Sequence, residues 1–73
     1  MSEKRDKFVS LAEKRVNRTI KDIRLIGNLS NKNNYSYEDR DVNKIISALE
    51  QEVKILKIKF SAGDAKREPV FKL

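Results

Sequence analysis

Val42-Asn43-Lys44-Ile45-Ile46-Ser47-Ala48-Leu49-Glu50-Gln51-Glu52-Val53-Lys54-Ile55-Leu56-Lys57-Ile58-Lys59-Phe60 is the stretch whose reading decides the fold. Val42, Ile45, Ile46, Leu49, Val53, Leu56 and Phe60 recur at intervals of three and four for about five turns, the period of one face of an α-helix. The start is expected between Tyr37 and Asp39, because Glu38, Asp39 and Asp41 set negative charge against the positive end of the helix dipole. Gly63 offers a stop beyond Phe60, so the helix is predicted over about residues 39–61.

Upstream, Val9, Ala12, Val16, Ile20, Ile23 and Ile26 keep the same period and predict a first helix over about residues 5–26. Lys7, Lys14, Arg18 and Lys21 fall in a narrow band almost opposite that stripe. Gly27 reads as a left-handed C-terminal cap, with Asn28 the next most tolerant residue. Residues 27–37 are rich in Asn and Ser, whose side chains compete with the helical backbone for hydrogen bonds, and read as the connection. Leu29, Tyr35 and Tyr37 are its large apolar groups and are expected to pin it to the helix ends.

These readings predict an all-α domain over residues 1–61, an antiparallel two-helix hairpin whose helices are each about 33 Å long. Residues 62–73 read as a C-terminal tail: Pro69 disfavours helix at Glu68, and Val70, Phe71 and Leu73 can either dock or fray.

A chain of 73 residues buries too little surface to be comfortably stable without a staple or a partner. It contains no Cys and no His, which removes disulfides, thiolate or imidazole metal sites, and Cys or Ser–His nucleophilic catalysis. Self-association is the remaining support. Phe8, Leu11, Leu25 and Ile26 are read as flanking the first stripe, and Ile55 and Ile58 as broadening the second, giving more apolar surface than one helix covers. The hairpin is therefore expected to assemble with copies of itself, as a homodimer or higher oligomer forming a helical bundle.

The N-terminal residues Met1 to Lys7 lack the apolar region of a signal peptide, and no apolar run approaches the about 18 residues that span a bilayer. A cytoplasmic protein with no membrane partner is predicted, which makes the Asn-x-Ser/Thr triplets at Asn17, Asn28 and Asn34 irrelevant to glycosylation. The net charge is +6, and residues 1–34 carry nine Lys/Arg against four Asp/Glu, whereas residues 35–61 carry five of each. The excess thus belongs to the first helix and attracts anionic partners: nucleic acid, phosphorylated small molecules, anionic lipid or acidic protein.

Residues 24–37 carry the distinctive chemistry. Four Asn, two Ser and two Tyr crowd beside a helix end and several cations. Arg18, Lys21 and Arg24 can neutralise phosphates, while Asn28, Asn31, Asn34, Tyr35 and Tyr37 can grip a base or ribose through amides, rings and hydroxyls. The competing reading is structural: Asn and Ser cap helices and make turns, and a charge run is often only a solvated face holding local ion pairs with Asp6, Glu13 or Asp22. Glu38, Asp39 and Asp41 are explained by the helix dipole alone and are not read as metal ligands. No phosphate-cradling glycine loop, dinucleotide fingerprint, calcium loop or zinc-protease helix is present, so neither catalysis nor a cofactor nor a metal is expected.

The strings Phe8-Val9-x-Leu11-Ala12-Glu13-Lys14-Arg15-Val16-Asn17, Ile23-Arg24-Leu25-Ile26-Gly27-Asn28-Leu29-Ser30-Asn31 and Asn34-Tyr35-x-Tyr37, followed by Asp41-Val42 through Phe60, resemble a family of small uncharacterised helical proteins of bacterial and phage genomes. The resemblance spans nearly residues 8–60 and implies a phage or mobile-element setting without an activity. It departs at Glu38, where the family pattern has Thr as the cap of the second helix. In size, charge and expected assembly the chain also looks like the homo-oligomeric sponges with which phages sequester nucleotide immune signals, an analogy of architecture alone. The leading expectation is thus a non-enzymatic anti-defence sponge for a cyclic nucleotide or cyclic ADP-ribose type of signal. The alternatives are a nucleic-acid-binding regulator, with Lys7, Lys14, Arg18 and Lys21 along a backbone, and a protein-interaction or inhibitor module.

Overall fold

The computed structural model describes residues 2–63 and is all-helical there. Helix α1 spans Glu3–Gly27, a single 3₁₀ turn spans Asn28–Ser30, and helix α2 spans Asp39–Gly63. The chain divides between Ser36 and Tyr37 into two compact units. The tail residues Val70, Phe71 and Leu73, read as docking or fraying, lie outside the described residues.

In the first unit, α1 starts at Glu3 with Ser2 as its cap, two residues earlier than the periodicity suggests. The Ser2 Oγ accepts a hydrogen bond from the Arg5 N–H at 3.0 Å and the Ser2 carbonyl accepts from the Asp6 N–H at 3.1 Å, while Glu3 and Asp6 oppose the dipole. This side-chain cap satisfies one of the N–H groups that a helix start leaves without an intrahelical acceptor. Thr19 is the polar interruption of the apolar stripe, and its hydroxyl donates back to the Arg15 carbonyl at 2.9 Å. The stripe thereby accommodates a hydroxyl without leaving it unsatisfied.

The C-terminus of α1 corrects the expected glycine cap. Gly27 has φ −60° and ψ −29°, and Asn28 follows at φ −65° and ψ −16°, so neither residue is left-handed. The helix instead tightens: the Asn28 N–H points toward the Arg24 and Leu25 carbonyls, the bifurcated geometry by which an α-helix passes into a 3₁₀ turn. Asn31, extended at ψ 100°, ends that turn. Leu29 and Tyr35 stay about half exposed, so the expected pinning of the connection by these two groups is not found within this unit.

In the second unit, α2 begins with a half-complete capping box. The Asp41 carboxylate accepts the Glu38 N–H at 2.9 Å, and the Glu38 carbonyl accepts the Asp41 N–H at 2.9 Å. The Glu38 side chain turns to Arg40 instead of back onto the helix, at 3.2 Å with both groups largely exposed, a pairing that contributes little. Glu38 therefore occupies the cap position without providing the side-chain cap that Ser2 gives α1.

No described side chain is buried. The stripes that the three-four spacing singles out are present as faces, with Val16 at 55 % and Phe60 at 59 % exposure, and the described residues hold no core. Unbroken helices also fix azimuths that composition leaves open. Leu25 does not flank the apolar stripe of α1: at 100° per residue it falls among Lys7, Lys14 and Arg18, about 180° from Val16. On α2, Ile55 and Ile58 lie roughly 130–170° from the Val42-to-Phe60 seam, forming a second apolar strip on the far side instead of a wider first one. No helix among the described residues is long and apolar enough to cross a membrane.

Candidate functional site

Continuity of α1 into the 3₁₀ turn decides where the predicted site residues stand. Arg18, Lys21 and Arg24 follow at intervals of three, each about 60° round the helix from the last and about 4.5 Å further along it. Asn28 continues in αR geometry and falls between Lys21 and Arg24 in azimuth, one turn beyond. All four are exposed on one flank of the first unit. Among the described residues none of the three cations forms an ion pair, although Glu13 and Asp22 share the helix.

The connection brings three more of the predicted residues into the same unit and assigns them different duties. Asn31 is largely occupied by the turn: its Oδ1 accepts the Asn33 N–H at 2.9 Å, and its carbonyl accepts the N–H groups of Asn34 and Tyr35 at 3.0 Å each. This is the Asx geometry by which asparagine replaces a backbone turn with its own side chain, and it leaves the Asn31 amide NH₂ and one lone pair of Oδ1 for a ligand. Asn34 and Tyr35 are exposed, the latter with about half of its surface accessible. Tyr37 is half-buried and belongs to the second unit, just ahead of α2. Thus Arg18, Lys21, Arg24, Asn28, Asn31, Asn34 and Tyr35 share one compact unit, and Tyr37 is described apart from them.

Two features escaped the sequence reading. Leu25 lies between Arg18 and Lys21 in azimuth with 55 % of its surface exposed, so the basic flank carries an apolar side chain in its middle. The heptad spacing Leu11–Arg18–Leu25 was the available signal. The other is a shallow, open depression of about 550 Å³ on α2, lined by Arg40, Asn43, Lys44, Ser47 and Ala48. Its signal was the four-residue spacing of Arg40 and Lys44, read at the sequence level only as part of a charge-balanced segment.

Chemically, the flank of α1 offers permanent positive charge, amide donors and acceptors, and apolar surface for the face of a ring. It offers no nucleophile with an adjacent base, and among the described residues no group of three or more carboxylates is placed to hold a metal ion. No protein-family model, curated protein or solved structure matches the chain.

Proposed function

We propose that the chain is a non-enzymatic binding protein, assembled from copies of itself, that holds a phosphate-bearing nucleotide on the flank of α1. The observation that carries the reading is the set Arg18, Lys21 and Arg24, exposed and without carboxylate partners among the described residues, with Leu25 between two of them and Asn28 one turn on. Guanidinium and ammonium groups would neutralise the phosphates, Arg in a bidentate fork and Lys as a point charge. Leu25 and the Tyr35 ring would cover a base, and the amides of Asn28 and Asn34 would select its edge or the ribose. Asn31 would act chiefly by shaping the turn, and Tyr37 would join the site only in the folded-back hairpin.

A flank is open on one side, and binding a small anion tightly requires walls that exclude water. In this reading the walls come from assembly: α1 and α2 fold back as an antiparallel hairpin, and hairpins associate so that the flank of one protomer is roofed by another. The uncovered apolar faces of both helices supply the drive. The biological role that fits such a protein is capture of an intracellular nucleotide signal of the cyclic nucleotide or cyclic ADP-ribose type, as in a phage anti-defence sponge. Calorimetry and thermal-shift measurements against a panel of cyclic dinucleotides and ADP-ribose isomers test it. Stoichiometric binding lost in Arg18→Ala and Arg24→Ala supports the reading, and a panel giving neither heat nor shift removes it.

A second reading rests on the alignment of Lys7, Lys14 and Lys21, which recur every seven residues along about 21 Å of one side of α1. Such a row suits a nucleic-acid backbone, and an affinity for duplex or single strand that falls steeply with added salt would favour it.

A further inference from the structure

From the helical register of α2 we infer that its apolar seam is a parallel, in-register coiled coil with α2 of a second copy of the chain. The inference rests on the self-association in the preceding reading and is independent of the ligand. An unbroken α2 from Asp39 to Gly63 places Ile46, Val53 and Phe60 seven residues apart, and Val42, Leu49 and Leu56 likewise, with a gap of four from the second set to the first. These are the a and d positions of a heptad, a being 46, 53 and 60 and d being 42, 49 and 56. Ile46 and Val53 at a with Leu49 and Leu56 at d, the four central positions between Val42 and Phe60, are the combination that favours two parallel strands. Ile46, Val53, Leu56 and Phe60 of this seam are about half exposed.

The flanking charges choose the occupant and its direction. Glu52 stands at a g position and Lys57 at the e position five residues on. In a parallel pair g faces the partner's e of the next heptad, so Glu52 of each protomer meets the Lys57 of the other, giving two symmetric attractive pairs. In an antiparallel pair that keeps the same apolar layers, Leu49 opposes Val53 of the partner subunit. The like positions then meet each other, which sets Glu50 against Glu50 and Glu52 against Glu52 across the seam. Both flanks would then be repulsive. One surface therefore fits a second copy in one orientation and works against it in the other. The second strip, Ile55 and Ile58 on the opposite side of α2, is then the face this pairing leaves for the apolar stripe of α1 in the proposed hairpin.

The absence of cysteine makes the test direct, because any introduced thiol is unique. In the full chain carrying Leu49→Cys, mild oxidation is expected to give a symmetric covalent dimer in high yield. When Leu49→Cys and Val53→Cys chains are mixed, the 49–49 and 53–53 products should dominate over 49–53. Predominance of the 49–53 product overturns the proposal while leaving self-association intact, and a monomeric wild-type chain overturns both. Charge exchange gives an independent readout that does not disturb the apolar layers. Glu52→Lys and Lys57→Glu should each weaken the dimer about tenfold in sedimentation equilibrium, and the double variant should return to within about twofold of wild type. An equimolar mixture of the two single variants should form the heterodimer preferentially. Additive weakening in the double variant contradicts the pairing. A parallel dimer that binds no nucleotide sustains this inference and removes the ligand reading alone.

Discussion

Helices α1 and α2 each run 25 residues, and neither buries a described side chain, yet they use their surfaces differently. Helix α1 divides into an apolar stripe and a basic flank, and its start is closed by a side-chain cap from Ser2. Helix α2 carries two apolar strips on opposite sides with balanced charge between them, and its start lacks the equivalent cap. Two apolar strips on α2 favour cover on both sides, whereas on α1 the side opposite the stripe is mainly charged, with Leu25 set among its cations. The proposed reading gives α2 the principal seam of assembly and the flank of α1 the ligand, and variants can be ordered by how sharply they separate the two duties.

The largest effect is expected from a charge in the α2 seam. Leu49→Asp or Leu56→Asp would place a carboxylate among apolar layers and should weaken self-association about 100-fold or more by analytical ultracentrifugation. The matching change on the α1 flank, Leu25→Asp, should leave the assembly mass unchanged and reduce nucleotide affinity. Next come the cations. Arg18→Ala and Arg24→Ala should each cost about 1.5–3 kcal/mol of nucleotide binding in calorimetry, the value of a charged hydrogen bond, with sedimentation unaltered. If Arg24→Ala instead dissociated the oligomer, the division of duties would fail.

Smaller effects probe the helix ends. Ser2→Ala removes the α1 cap and should cost about 1 kcal/mol, seen as a lower melting temperature at matched protein concentration. Glu38→Thr should work in the opposite sense, completing the capping box with Asp41 and adding about 0.5–1 kcal/mol. At Gly27 an added Cβ meets nothing within 4 Å and the backbone is helical, so Gly27→Ala should stabilise by about 0.5–1 kcal/mol and raise the helical circular dichroism signal. A destabilised Gly27→Ala would mean that the residue is left-handed in solution and that the glycine cap forms after all.

The helices were legible because a three-four apolar period over five turns is a strong and redundant signal: losing one position, such as Thr19, leaves the rest in phase. The end of α1 was not, since a left-handed glycine cap and a 3₁₀ exit differ by small free energies, and residues 27–31 suit either. Azimuth was the second gap. Leu25, Ile55 and Ile58 were read as flanking or broadening the stripes, although 100° per residue along the predicted helices already sets each on the far side. Of the site, the clustering of Arg18, Lys21 and Arg24 on one flank follows from spacing alone, whereas Asn28 joins them because Gly27 stays helical instead of turning left-handed. The engagement of Asn31 Oδ1 with the Asn33 N–H does not follow from spacing either, because an asparagine in a connection serves a turn or a ligand with the same side chain.

Native mass spectrometry of protein purified gently from a nucleotide-rich lysate reports both halves of the proposal at once, the assembled chain and the nucleotide on its basic flank. An oligomer carrying additional mass in integral steps is expected, with that mass lost from the Arg18→Ala and Arg24→Ala variants while the oligomer persists. A bare oligomer that takes up no nucleotide when the panel is added would contradict the ligand assignment, and a bare monomer would contradict the assembly on which it depends.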